Sequence, residues 1–224
     1  MNIPVFSQQD PKWRDKKLSP SNLSMSSHGC YITSLTMAMH NFSIKLTPGE
    51  VLDKLVAANG LNGDGLLTYD GVMRAFPKLY FHNRIYTTND PSSNGFEMQI
   101  DVALEKVVRL LDLGQPTILC VDNVLHDGIP DHAVVAVDYM FGNNGVFLDF
   151  KIHNPDGGKE QWFSERYGDP KKFLYGYVTI IGSPISFPDQ SKYQKEGTAL
   201  WKAAMVKKGI DVQTYVNEII ENLL

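Results

Sequence analysis

The 224-residue chain has few of the features that define specialised protein classes. Its two cysteines, Cys30 and Cys120, allow at most one disulfide, which excludes a disulfide-stapled scaffold. The formal charge of -4 at pH 7 gives no electrostatic reason to bind nucleic acid or anionic lipid. No apolar stretch approaches the roughly 18 residues of a membrane span, and the first residues show no secretory signal. We therefore expect a protein that is soluble and cytoplasmic when made, and we leave open its later release or association with a virion.

Motifs for metals and nucleotides are also missing. A metal site would have to combine Cys30 with His28, Asp131 and His132, but the chain contains neither Cys-x-x-Cys nor His-Glu-x-x-His spacing. The glycine-rich stretch 63–65 is not followed by the Gly-Lys-Thr/Ser of a phosphate-binding loop. We expect no metal and no cofactor.

The hydrophobic content of 43% and the charged content of 21% are ordinary for a globular protein. Apolar periodicity predicts three helices: one that begins at Cys30, one over 48–58 and one over 100–113. The helix over 48–58 begins with a capping box, Thr47-Pro48-Gly49-Glu50. A further short helix is expected over 70–76. Strands are predicted later in the chain, over 79–86, 116–122, 133–139, 145–152 and 173–182. Helices followed by antiparallel strands predict an α+β fold.

The composition changes near residue 184. Ser183-Pro184 and Phe187-Pro188 interrupt regular structure, and an apolar stripe at helical spacing runs from Val212 to Leu223. We therefore predict a domain over 1–184 and a helical extension over 185–224. The stripe would either dock on the domain or form a homodimer.

Three residues could form a catalytic set. Cys30 lies at the predicted start of a buried helix, where the helix N-terminus stabilises a thiolate. His132 precedes an apolar strand, and a hairpin turning at 143–144 would place Asn154 directly opposite it. An Asn154 oxygen could then accept a hydrogen bond from the imidazole and fix its tautomer. A nucleophile, a base and a group that orients the base are the requirements of a thiol hydrolase.

An oxyanion formed by such a nucleophile also needs hydrogen-bond donors. These are usually the backbone N–H at the start of the nucleophile's helix and a side-chain amide. Gln8 and Gln9 both lie in the extended lead-in 1–25, and the sequence does not choose between them. Cys120, between apolar neighbours in a strand, is expected to be an inert buried thiol.

Several segments occur in an order that resembles a known family. The lead-in contains Gln8-Gln9-Asp10-Pro11-Lys12-Trp13, and Gly29-Cys30-Tyr31-Ile32-Thr33-Ser34-Leu35 follows it. Later segments are Gly114-Gln115-Pro116, Asp131-His132-Ala133 and Asn154-Pro155. Over about residues 3–182, these segments resemble cysteine peptidases of the papain clan, akin to the bacteriocin-processing type that cleaves double-glycine leaders.

The resemblance implies a papain-like fold, in which N-terminal helices with the nucleophile at a helix start pack on an antiparallel sheet. It implies that Cys30 is the nucleophile, that His132 is the general base and then acid, and that Asn154 orients His132. It also implies that Gln8 is the oxyanion donor. Asn154 stands where the family commonly has Asp, so Asp156 remains a second candidate for the orienting residue.

The substrate-binding residues are expected beside the nucleophile and the base. We expect Gly29, Tyr31 and Asp131 to line this site, and Tyr31, which stands where the family often has glycine, would narrow it. The expected function is cleavage of a peptide or isopeptide bond through a thioester. Two alternatives stay open: a phage- or bacteria-type peptidoglycan hydrolase, and a catalytically silent papain-like module for binding or virion assembly.

Overall fold

A computed structural model describes residues 1–81, 84–89, 98–122, 132–142 and 146–182. The predicted extension 185–224 lies outside these residues. The helices in the described part are α1 (Met25–His28), α2 (Cys30–Met39), α3 (Pro48–Ala57), α4 (Tyr69–Ala75), α5 (Ile100–Asp112), α6 (Phe163–Tyr167) and α7 (Pro170–Phe173). The strands are β1 (Leu79–Phe81), β2 (Ile85–Tyr86), β3 (Thr117–Val121), β4 (His132–Phe141), β5 (Phe147–Asn154), β6 (Lys159–Trp162) and β7 (Leu174–Gly182).

The strands form an antiparallel sheet. Six of them lie in the order β1-β7-β3-β4-β5-β6, and the short strand β2 also pairs with β7. β3 lies between β7 and β4 and is buried at every residue, which agrees with the apolar run that follows Thr117. The predicted α+β class and the antiparallel sheet are confirmed.

Helices cover both faces of this sheet. On one face, Ala133 and Val135 of β4 share an apolar cluster with residues of α2, α3 and α4, including Leu35. On the other face, Val134 of β4 packs in a second cluster with residues of α5 and with Phe163 of α6. Successive residues of β4 alternate between the two faces because side chains of a strand point to opposite sides.

Local sequence accounts for the main helices. Thr47 and Glu50 form the predicted capping box: the Glu50 N–H donates to the Thr47 hydroxyl at 3.4 Å, and the Thr47 N–H donates to the Glu50 carboxylate at 2.7 Å. α5 buries Ala103, Leu104, Val107, Val108 and Leu111, which recur at helical spacing. None of the helices in the described ranges is long and apolar enough to cross a membrane.

The predicted helices at Cys30, 48–58, 70–76 and 100–113 are confirmed to within one or two residues. The strand predicted over 79–86 is described in two parts, β1 and β2, and both pair with β7 in antiparallel register. Leu79 pairs with Gly182 and Ile85 pairs with Tyr177, so the second part follows the first along β7 with a shift of one residue. Residues 82 and 83, between the two parts, lie outside the described residues.

Three short elements between 159 and 173 were not predicted. β6 has only four residues, and α6 and α7 have five and four, so hydrophobic periodicity has too few turns to be visible. A capping signal was present at Asp169-Pro170: the Asp169 side chain accepts from the Lys171 N–H at 2.9 Å and Pro170 occupies the first helical position.

The register of the β4–β5 hairpin differs from the prediction. Phe141 pairs with Phe147 and Val135 pairs with His153. Continuing this ladder places Asn154 opposite Val134, so His132 and Asn154 are diagonal neighbours instead of the directly opposed pair that was predicted. Diagonal neighbours lie on the same face of the sheet, about 7–8 Å apart at the backbone, which long side chains can still span.

The core predicts a large cost for removing Leu35. Its side chain is fully buried in the cluster between α2 and the sheet, so Leu35→Ala should lower the free energy of unfolding by about 2–5 kcal/mol. Leu66→Ala deletes the same atoms from a side chain that is 57% exposed and should change stability by less than about 0.5 kcal/mol. Urea denaturation measures both, and equal losses would contradict this packing.

The capping box predicts a pH dependence. The Thr47 N–H and hydroxyl lower the pKa of Glu50, so its contribution to stability is present above the ordinary glutamate pKa and is lost as pH falls through the lowered value. Glu50→Gln should therefore be less stable than the wild type at neutral pH, and the difference should shrink at about pH 3. Thermal unfolding at both pH values tests this, and a difference that grows in acid would contradict it.

Candidate active site

Cys30 is the first residue of α2, and its side chain is only 8% exposed. The residue before it, Gly29, is the N-cap of the helix, and a Cβ atom there would lie 2.4 Å from the carbonyl oxygen of Met25. A side chain at this position would therefore force the chain entering α2 to move. No acidic residue lies in the first turn of α2, and the positive end of the helix dipole at Cys30 favours the thiolate.

His132 is the first residue of β4 and is 4% exposed. It pairs with Val121 of β3, so the central strands fix its backbone. The next residue, Ala133, accepts a hydrogen bond of 2.9 Å from the hydroxyl of Ser34, one helical turn after Cys30. This buried bond joins the beginning of α2 to the beginning of β4 and holds the segments that carry the thiol and the imidazole together.

Asn154, the last residue of β5, lies beside the imidazole. Its Oδ1 atom is 2.9 Å from Nε2 of His132, and both side chains are almost completely buried. The same Oδ1 accepts the backbone N–H of Asp156 at 2.9 Å. Since a backbone N–H can only donate, this contact fixes which end of the amide faces His132.

The fixed amide determines the tautomer of His132. An oxygen facing Nε2 requires a proton on Nε2, so the lone pair of the neutral ring lies on Nδ1. The basic nitrogen is therefore the one that Asn154 does not contact. Of the two candidates for orienting His132, Asn154 makes the contact, whereas the carboxylate of Asp156 accepts a hydrogen bond of 3.0 Å from Gln9.

Gln8 and Gln9 have different surroundings. The Gln9 amide donates to Asp156 and accepts from the N–H of Gly157 at 3.0 Å, so it holds the turn that follows β5. Gln8 is 5% exposed, and its Nε2 donates to the carbonyl oxygen of Ser26 at 2.9 Å, four residues before Cys30. One N–H of the Gln8 amide is thereby used, and a second remains on the same nitrogen.

The lead-in motif positions Gln8. The indole N–H of Trp13 donates to the carbonyl oxygen of Ser7 at 2.8 Å, and the Gln8 N–H donates to the carbonyl oxygen of Pro155 at 2.9 Å. Gln8 therefore lies between α1 and the turn after Asn154. Its Oε1 atom is buried and makes no hydrogen bond among the described residues, an unusual state for a buried acceptor and one that functional sites tolerate.

The turn after β5 needs glycine at its close approach to the lead-in. Gly158 has a φ of 62°, and a Cβ atom there would lie 3.0 Å from Cβ of Ser7. Both the left-handed backbone and the contact favour glycine. The turn can therefore lie directly against the segment that carries Gln8.

Tyr31 points toward the sheet. Its hydroxyl lies 3.2 Å from the Cys120 sulfur, in the layer between α2 and β3. Burial raises the pKa of Tyr31 well above its ordinary value, and the neighbouring Cys120 raises it further. Cys120 is fully buried in β3, as the sequence predicted, and it supports Tyr31 in the layer beneath α2.

Tyr167, at the end of α6, is a member of the site that the sequence did not reveal. Its hydroxyl accepts a hydrogen bond of 3.0 Å from Nδ2 of Asn154, and its ring centroid is 6.3 Å from that of His132. Burial raises the pKa of Tyr167, and the charges of Asp156 and Cys30 raise it further.

The structure thus brings Gln8, His132 and Asn154 together around the turn after β5, with Cys30 at the helix start tied to β4. Gly29 and Tyr31 flank Cys30, while Asp131, the other residue expected to line the substrate site, lies outside the described residues. Within the described ranges, no three His, Cys, Asp or Glu side chains are grouped as metal ligands would be.

Comparison with known proteins does not indicate a function, so a functional proposal must rest on the geometry of this site. The chain matches no protein-family model, no curated protein and no solved structure. The chemistry of Cys30, His132 and Asn154 is therefore what a functional proposal must explain.

Proposed function

We propose that this chain is a papain-like thiol hydrolase that cleaves a peptide or isopeptide bond through a thioester intermediate. Cys30 is the nucleophile, His132 is the general base and then the general acid, and Asn154 orients His132. Gln8 and the backbone N–H of Cys30 stabilise the oxyanion. The observation that carries the proposal is the buried 2.9 Å contact between Nε2 of His132 and Oδ1 of Asn154.

This contact supports catalysis because it prepares His132 for proton transfer at Nδ1. The Asp156 N–H holds the Asn154 oxygen toward Nε2, so the neutral ring presents its lone pair on the opposite side. The oxygen also stabilises the imidazolium that forms when Nδ1 takes a proton. A structural histidine needs a hydrogen-bond partner, but it does not need a partner whose own orientation is fixed.

The reaction begins with transfer of the Cys30 thiol proton to Nδ1 of His132. The thiolate, favoured by the N-terminus of α2, attacks the carbonyl carbon of the scissile bond. His132 then gives its proton to the departing amine, which leaves the acyl group on the sulfur as a thioester. Water, deprotonated by His132, attacks the carbonyl carbon of the thioester. The carbon–sulfur bond then breaks, the carboxylic acid is released, and His132 returns its proton to the Cys30 sulfur.

The negative oxygen of each tetrahedral intermediate requires donors that are already in place. Gln8 supports this role because its amide nitrogen is buried, is held by Ser26 close before Cys30, and retains a second N–H. The Cys30 N–H belongs to the first residue of α2, at the positive end of the helix dipole. Together they provide the side-chain and backbone donors that acyl transfer needs.

The arrangement of the fold supports the same proposal. The helix with the nucleophile packs on one face of an antiparallel sheet, and the base and its orienting residue lie on two adjacent strands of that sheet. A papain-like enzyme distributes its nucleophile and its base in this manner, between a helix and a sheet. The peptide bonds of proteins and of peptidoglycan both present the carbonyl that the site would attack.

The first prediction from the proposed function concerns the two reacting residues. Cys30→Ala and His132→Ala should each lower turnover of a cleaved peptide about 10⁴–10⁶-fold, because a nucleophile and its base act as a unit. Purified full-length protein should be tested on a peptide library, an isopeptide substrate and isolated cell walls, with release of amines as the measurement. Circular dichroism and thermal unfolding establish that each variant remains folded.

Cys120→Ala is the matched control, since it removes the other thiol and leaves the proposed nucleophile. It should retain turnover and alkylation of Cys30 by iodoacetamide. If wild-type Cys30 reacted with iodoacetamide at neutral pH no faster than an ordinary thiol, the proposal of an activated nucleophile would be wrong. The protein would then be better described as a papain-like binding module.

The second prediction separates Gln8 from Gln9. Gln8→Ala should lower kcat about 10²–10³-fold, the usual cost of removing one oxyanion donor, with a much smaller effect on KM. Gln9→Ala removes an identical side chain one residue away, whose amide is already bonded to Asp156 and Gly157, and should cost less than about tenfold. A larger loss in the Gln9 variant would assign the oxyanion donor to Gln9.

A further inference from the structure

We propose that His153, while its ring carries two protons, is a positioning residue for Gln8. It acts through the lead-in 1–25, in which the carbonyl oxygen of Pro4 lies 3.3 Å from Nδ1 of His153. The catalytic consequence rests on the proposed function, whereas the link between His153 and the lead-in is a property of the free protein.

Both ring nitrogens of His153 face atoms that can only accept a hydrogen bond. Nδ1 faces the carbonyl oxygen of Pro4, and Nε2 lies 3.1 Å from a carboxylate oxygen of Glu160. Each contact is a hydrogen bond only if the ring nitrogen carries a proton. The buried ring therefore joins the lead-in to β6 in its doubly protonated form, the imidazolium.

Glu160 is a carboxylate throughout the pH range in which histidine titrates. It lies directly opposite His153 in the ladder between β5 and β6, and its other oxygen is 2.6 Å from Nζ of Lys151. The hydrogen bonds from Lys151 and from His153 lower the pKa of Glu160. The negative charge is therefore present on both sides of the His153 titration.

The other segments around β5 differ in the charge they carry. On β4 the residue opposite His153 is Val135, which is uncharged. α6, which carries Glu165 and Arg166, packs on the face of β5 toward which the residue before His153 points. The first nine residues of the lead-in have no charged side chain, so this segment contributes only the α-amino group of Met1.

Loss of one proton breaks the link to the lead-in. A neutral imidazole has a single N–H, and the charged carboxylate of Glu160 is a stronger acceptor than the Pro4 carbonyl oxygen. The remaining proton therefore stays on Nε2, and the lone pair of Nδ1 faces Pro4. The link is complete below the ordinary histidine pKa and is lost as pH rises through the titration of the ring.

The lead-in is bonded to the end of β5 and to the turn after it at two successive points. Pro4 meets His153, and four residues later the Gln8 N–H donates to the carbonyl oxygen of Pro155 at 2.9 Å. The segment that leads to the Gln8 amide is therefore held at both ends while His153 is doubly protonated. In alkaline solution it loses the first support, and the proposed oxyanion donor is placed less precisely.

Glu160→Gln separates charge from hydrogen bonding at this link. The Lys151 ammonium can only donate, so it faces the oxygen of the new amide and turns the NH₂ group toward Nε2 of His153. A neutral ring can then accept at Nε2 and donate from Nδ1 to Pro4. The variant should therefore keep the link without a second ring proton.

The tautomer of His153 is measured in full-length ¹⁵N-labelled protein. Two-bond ¹H–¹⁵N spectra at about pH 8.5, above the ordinary histidine pKa, report which ring nitrogen is protonated, and the spectrum of His153→Gln assigns the signal. We expect the ratio of the Nδ1–H to the Nε2–H tautomer to be about tenfold higher in Glu160→Gln than in the wild type, the effect of one typical hydrogen bond.

The amide of Val5 reports the link, because it shares a peptide group with the Pro4 carbonyl. Between about pH 5.5 and pH 8.5, its ¹⁵N chemical shift should follow the titration of the His153 ring in the wild type. The change should be at least about threefold smaller in Glu160→Gln. His28→Gln, which removes an exposed histidine, is the matched control and should leave the Val5 titration unchanged.

Three results would overturn the inference: a Val5 shift that does not follow the His153 ring, an equal Val5 shift in the wild type and Glu160→Gln, or the same tautomer ratio in both proteins. If Glu160→Gln does not fold, the wild-type protein supplies the first of these tests by itself.

The catalytic consequence is measured on a peptide that the wild type cleaves. The kcat of Glu160→Gln relative to the wild type should be close to one at about pH 5.5 and should rise about three- to tenfold at about pH 8.5, where the wild type alone has lost the link. In a Gln8→Ala background this ratio should be the same at both pH values, because the group that is positioned is absent. An equal rise in that background would refute the positioning of Gln8.

The proposed function fails separately. A Val5 shift that follows His153 in a protein that hydrolyses nothing would support the link and refute the hydrolase. Cys30-dependent hydrolysis with a kcat ratio that does not change with pH would refute the positioning role alone.

Discussion

The hydrogen bond from the Asp156 N–H to Oδ1 of Asn154 is the constraint on which the arrangement of the site depends. A backbone N–H has no alternative role as an acceptor, so it fixes one end of the Asn154 amide. The fixed amide in turn assigns the proton of His132 to Nε2 and its lone pair to Nδ1. One hydrogen bond from a main-chain N–H therefore determines which ring nitrogen of His132, on the adjacent strand, can act as a base.

Hydrogen bonds between distant segments hold this turn and the neighbouring helix in place, in addition to the apolar core. The N–H of Gln8 bonds to the carbonyl oxygen of Pro155, the Gln9 amide holds Asp156 and Gly157, and the Ser34 hydroxyl joins α2 to β4. Residues 8–9 therefore lie within hydrogen-bonding distance of residues 155–157, and Ser34 lies within that distance of Ala133. Burial strengthens the bond between Ser34 and Ala133, since water cannot compete for its donor and acceptor.

Sequence reasoning predicts the elements that contain enough residues to show a period. α2, α3 and α5 follow from apolar spacing and from the Thr47–Glu50 capping box. The hydrogen bond between His132 and Asn154 was also anticipated, from the position of the hairpin turn. The predicted register was wrong because the Gly142 N–H donates to the Val146 carbonyl oxygen and Phe141 pairs with Phe147. Two shifts of the ladder, between Met140 and Phe141 and between Ala136 and Asp138, cancel, so this register returns at Val135 and His153. The short elements over 159–173, and with them Tyr167, were missed.

The sequence by itself determined the α+β class, the position of Cys30 at a helix start and the presence of His132 and Asn154 on neighbouring strands. These features depend on local spacing, caps and turns, which a few consecutive residues specify. Only the tertiary structure decided between Asn154 and Asp156 as the partner of His132, distinguished the surroundings of Gln8 from those of Gln9, and added Tyr167. Those outcomes depend on which donor meets which acceptor between different elements, from the 13 residues that separate Asn154 and Tyr167 to the 147 that separate Gln9 and Asp156, and local sequence does not contain that information.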